Sequence, residues 1–98
     1  MIEHLVLFKV KSEASPADAE KMVLALRSLA GRVPSIRELH CGTNFSNRNQ
    51  GFTHGLLVRF RSRSDLDAYV DHPEHQRVVA ECVRPIVESI VVVDFESS

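Results

Sequence analysis

With 98 residues and a formal charge of −1, the chain has the length of one domain, and its 44% hydrophobic and 26% charged residues are those of a folded globular protein. No broad basic field is available to nucleic acid or an anionic membrane, and no apolar run approaches the roughly 20 residues of a membrane span. Cys41 and Cys82 are far apart, with no Cys-x-x-Cys and no secretory segment, so two reduced thiols in a cytoplasmic protein are expected.

Ile2–Val10 reads as a strand with Ile2, His4, Val6, Phe8 and Val10 on one face and Leu5 and Leu7 on the other. Ser15-Pro16 supplies a helix cap and a first-turn proline, and Asp18 suits the N-terminal dipole. Ala19, Met22, Val23, Leu26, Leu29 and Ala30 form the stripe of that helix, which Gly31 and Pro34 stop. Ile36–Thr43 is a weaker strand with Arg37, Glu38 and His40 among its apolar positions, so it is placed at an edge. Asn44–Gln50 is a polar loop. Gly51–Arg61 is a strand in which Phe52, His54, Leu56, Val58 and Phe60 share a face.

Ser64 is read as the cap of a short helix that ends near Val70, with Tyr69 on its inward face. Proline disfavours the helical conformation at the residue before it but suits a first helical turn. Asp71-His72 therefore makes a corner and a second helix starts at Pro73, with His75, Val78, Val79 and Cys82 at i, i+3, i+4 and i+7. That spacing aims His75 at the core beside Tyr69, and two inward polar tips need partners or a cavity. Arg84-Pro85 ends the helix, and Ser89–Phe95 is a last strand, apolar on both faces. The order β-α-β-β-α-β predicts a single α+β domain over residues 1–98: a ferredoxin-like, antiparallel four-stranded sheet with helices on one face and strands one and three in the middle. The second apolar face, bearing Leu5, Leu7 and Leu57, then calls for a second copy of the chain.

The blocks HLVLFKVK, GFTHGLLVRF, LDAYVDHPEHQRVV and VVVDF resemble, in order and spacing from His4 to Phe95, the stress-responsive A/B barrel (Dabb) family. The resemblance implies a ferredoxin-like unit whose sheets pair into a dimeric α/β barrel. Most members have no assigned reaction. In one plant polyketide cyclase, a tyrosine and a histidine at this corner perform an intramolecular aldol condensation. By position that pair is Tyr69 and His75, with pocket histidines at His4 and His54.

These residue types suit proton transfer. A neutral imidazole, pKa about 6.5, takes a proton from an activated methylene near neutral pH, and a tyrosine, pKa about 10, stays protonated to hydrogen-bond a carbonyl as charge develops. His4 and His54 are expected on neighbouring strands beneath the helices, and Met22, Val23 and Leu26 as core that doubles as pocket wall. The expected ligand is a small hydrophobic carbonyl compound, and neither metal nor organic cofactor is expected. His72 and His75 form a His-x-x-His, but zinc wants three or four ligands and a second shell. The alternative is a non-catalytic homodimer that binds a small ligand or serves stress tolerance, its tyrosine and histidines bonded to one another.

Overall fold

A computed structural model describes residues 1–98. Strand β1 (Ile2–Val10) leads into helix α1 (Pro16–Ser28), which tightens into a 3₁₀ turn at Leu29–Gly31. Strands β2 (Glu38–Thr43) and β3 (His54–Phe60) follow, then helices α2 (Arg63–Asp71) and α3 (Pro73–Val78). The last helix runs on through a π turn at Val79–Val83 before β4 (Val87–Glu96). All strand pairs are antiparallel and the sheet order is β2-β3-β1-β4, so the ferredoxin-like arrangement with the first and third strands in the middle is what the chain adopts.

Local chemistry accounts for the boundaries. Ser15 accepts a hydrogen bond from the Asp18 amide and Pro16 opens α1. The cap of α2 is Ser62 rather than the expected Ser64: its hydroxyl accepts from the Asp65 amide. β3 begins at His54, three residues later than the alternation predicts. Gln50 and Gly51 take positive φ (50° and 88°), a left-handed turn that no strand can include. β2 is likewise shorter than expected, starting at Glu38. Ala30 is exposed, because the tight turn carries it off the α1 stripe.

The core lies between sheet and helices. Val6, Phe8, Leu56, Val58 and Phe60 meet Met22, Leu26 and Leu29 from α1 and Tyr69, Val78 and Val83 from the broken helix. The opposite sheet face has no layer over it. Leu5, Leu7 and Leu57 are partly exposed there, joined by the more exposed Val91, Val93 and Phe95. The helices pack mainly against β1, β2 and β3, and β4 is the least covered strand, with Ile90 and Val92 about half exposed on its helix side.

Candidate active site

The corner between α2 and α3 is built by three residues. His72 has an extended backbone, and its Nδ1 accepts from the Glu74 amide at 3.1 Å, so it caps α3. Pro73 sets the first turn of α3. One turn on, His75 reaches back across the corner to the Val70 carbonyl, 3.1 Å from its Nδ1. A carbonyl only accepts, so Nδ1 carries the proton and Nε2 keeps its lone pair. The break in the helix therefore fixes the tautomer of His75.

Its ring lies 4.3 Å, centroid to centroid, from that of Tyr69. Tyr69 in turn meets His4 edge-on at 5.8 Å and Phe60 at 5.3 Å. Tyr69, His75 and His4 border a cavity of about 170 Å³ whose other walls are apolar, among them Val6 and Leu56 from the sheet, Leu26 from α1, and Ile90 and Val92 from β4. A cavity near 150 Å³ holds benzene, so this one has room for a single ring or a short chain. Tyr69 is only 1% exposed and its hydroxyl makes no hydrogen bond within the chain, but the one fully buried side-chain polar atom without a partner is the Ser35 hydroxyl, so the Tyr69 oxygen is not sealed off.

Burial dominates the electrostatics. It lowers the pKa of His75 below the ordinary histidine value, reinforced by His4 and His72 and opposed by the Val70 hydrogen bond. It raises that of Tyr69 far above the ordinary tyrosine value, with Cys41 adding to the effect. At neutral pH the pair is thus a neutral imidazole beside a protonated phenol. Asp94 is a residue that the sequence reading missed. It stands opposite His4 across the β1–β4 ladder, and its Oδ1 lies 2.5 Å from His4 Nδ1. The His4 Nδ1–H donates to that oxygen, which orients the ring and leaves Nε2 without a partner in the chain.

The other expected pocket residues lie elsewhere. His54 has its sheet face as expected, but it pairs with Phe8 at the far end of the ladder and does not border this cavity. Its Nδ1 is 2.8 Å from the Thr53 hydroxyl, and burial lowers its pKa. Met22 and Val23 are buried in the core against the sheet and do not reach the cavity, leaving Leu26 as the contribution of α1. A second, open groove of about 410 Å³ lies at the end of β2 and β3, bordered by Leu5, Leu7, His40, Gly42, His54 and Gly55. It contains neither Tyr69 nor His75.

Residues 2–97 match the stress-responsive A/B barrel domain family. The chain is 40% identical over 98 residues to a stress-response A/B barrel domain-containing protein of Arabidopsis thaliana, a match covering 97% of this chain and 36% of that protein. It thus spans only about a third of that relative's length. To olivetolic acid cyclase of Cannabis sativa it is 25% identical over 96 residues, 96% of this chain and 94% of that one. Among solved structures, hydroxynitrile lyase from Passiflora edulis superposes with a TM-score of 0.86 at 26% identity, covering 96% of this chain and 90% of that one. A dimeric ferredoxin-like protein of unknown function from Jannaschia sp. CCS1 gives 0.77 at 32% identity, with 98% of both chains covered.

Proposed function

The chain belongs to the stress-responsive A/B barrel family, and from that premise we propose that it is a homodimer whose Tyr69–His75 cavity catalyses proton transfer at carbon next to a carbonyl in a small hydrophobic compound. The observation that carries this reading is the pairing at the cavity wall: the Tyr69 ring lies 4.3 Å from an imidazole whose Nε2 is free, and both side chains border the same apolar cavity. In the proposed cycle His75 Nε2 removes a proton from the carbon next to the carbonyl, whose oxygen takes the electron pair as an enolate. Tyr69 donates a hydrogen bond to that oxygen as the charge develops. The enolate carbon then forms a bond to a second carbonyl of the same molecule, and the new alkoxide takes the proton back from His75. His4, oriented by Asp94, and Leu26 position the ligand.

The names of two relatives, a cyclase and a hydroxynitrile lyase, are consistent with chemistry on small carbonyl-derived compounds in this fold. The dimeric Jannaschia protein is consistent with pairing through the bare sheet face. The test needs no knowledge of the natural substrate. Single-ring ketones and β-keto esters are incubated with the protein in D₂O, and exchange at the carbon next to the carbonyl is followed by proton NMR. Exchange above the buffer rate that disappears in His75→Ala is expected. No acceleration for any compound that binds the cavity would overturn the proton-transfer reading.

A further inference from the structure

Tyr69 and His75 stand on different helices, and a single residue, His72, separates the two. The His72 amide donates to the Tyr69 carbonyl at 3.1 Å, and the His72 carbonyl accepts from the Gln76 amide at 3.1 Å. Its ring adds a third bond, from the Glu74 amide to Nδ1 at 3.1 Å. His72 thus ends the helix that carries Tyr69 and caps the first turn of the helix that carries His75. His75 lies inside that capped turn, and its own bond to the Val70 carbonyl closes over the corner.

The bond to the ring has a condition that the two backbone bonds lack. The capping oxygens of serine and asparagine do not titrate. An imidazole accepts at Nδ1 only while it is neutral, with its proton on Nε2, and the next proton takes the Nδ1 lone pair. A protonated His72 turns a donor toward the Glu74 N–H and sets a positive charge at the positive end of α3. The charged groups around the corner do not compensate. The Glu74 carboxylate is held by Arg77 at 2.9 Å and by Arg32, just beyond α1, at 3.7 Å, and Arg77 is shared with Glu81. Asp71, the last residue of α2, is exposed. His75 is the other titratable group at the corner, and charge on His72 works against charge on it.

We propose that His72 is a positioning residue for the Tyr69–His75 pair. When neutral, its ring clasps the first turn of α3 and holds His75 over Tyr69; when protonated, it lets that turn open, so acid loosens the site through a residue that borders no part of the cavity. The proposal rests on the reading of that pair as the reacting one, but its test reads geometry and not turnover. In an NMR titration of the native protein, the His72 ring is followed at its own Cε1 proton and the hydrogen-exchange protection of the Gln76 amide is measured alongside. A capping bond is worth about fivefold in the opening of a first turn. Protonation of His72 should therefore cut that protection about fivefold and weaken the nuclear Overhauser effects between the His75 and Tyr69 rings. His72→Ala should show the loosened state at every pH. His72→Asn, whose side-chain oxygen caps without titrating, should stay clasped throughout. Protection and ring contacts that ignore the His72 titration, or an acid loosening that persists unchanged in His72→Asn, overturn the proposal. Neither result bears on proton transfer at carbon, which the D₂O exchange assay judges separately.

Discussion

Tyr69 and His75 differ in what their removal should do. The Tyr69 hydroxyl has no partner in the chain, so Tyr69→Phe should change stability by less than about 1 kcal/mol while slowing turnover by about 10²–10³. Thermal melts and steady-state rates on the same preparation would separate the two. The lowered pKa of His75 makes two further predictions. The acid limb of kcat/KM should turn over below about 6.5, the ordinary histidine value. Stability should follow the same group: below about 6.5 the unfolded chain binds a proton that folded His75 resists, so the stabilisation present at higher pH is lost progressively as the pH falls from that value through the lower one of the folded chain. Urea titrations between pH 7 and pH 5 should show a shallower loss in His75→Gln. Periodicity put Tyr69 and His75 on inward faces, but it cannot give a residue's level along a strand. His4 and His54 share a face yet pair with Val58 and Phe8, four β1 residues apart or roughly 13 Å. Asp94 was hidden for the same reason, since only the β1–β4 register places it opposite His4.

The broken helix shows what local signals decide and what they leave open. Pro73 marked the corner unambiguously, because proline excludes one conformation and favours another. The start of α2 was ambiguous in principle: Ser62-x-x-Asp65 and Ser64-x-x-Asp67 both have the spacing of a capping pair. The fold decides between them, since β3 ends at Phe60 and the chain turns at once. Ser62→Ala should therefore cost about 1 kcal/mol in a denaturant titration and Ser64→Ala almost nothing. Equal losses would count against the capping assignment. Further along, Val83, which is 1% exposed, continues as i+8 the buried stripe of His75, Val78, Val79 and Cys82. The π turn at Val79–Val83 is what the period does not show, since no residue type announces such a turn.

At the scale of the molecule the question is what holds so thin a body together. Its shortest dimension is 17 Å, one sheet and one helix layer, and only 20 of 98 residues are buried. That a face would be left bare was legible from the element count, since two helices cover one side of a sheet. That β4 would be thinly covered on its helix side too was not, because the helices pack mainly on the other three strands and alternation says nothing about lateral placement. Leu7, in a central strand of the bare face and opposite Val91, is the position where this matters most. Leu7→Glu puts a carboxylate where a second copy is proposed to pack, with no cation paired to it, and a two-fold assembly suffers the change twice. A buried charge without a partner costs about 3–5 kcal/mol. The dimer should therefore dissociate by more than a thousandfold, and the melting temperature should fall and become independent of concentration. Sedimentation velocity on the native chain and the variant decides the matter. Native protein near 22 kDa and variant near 11 kDa are expected, twice and once the mass of one chain. A native species at 11.0 kDa at micromolar concentration would mean that the valines of β4 face water in the working molecule, and the sheet face would need another explanation.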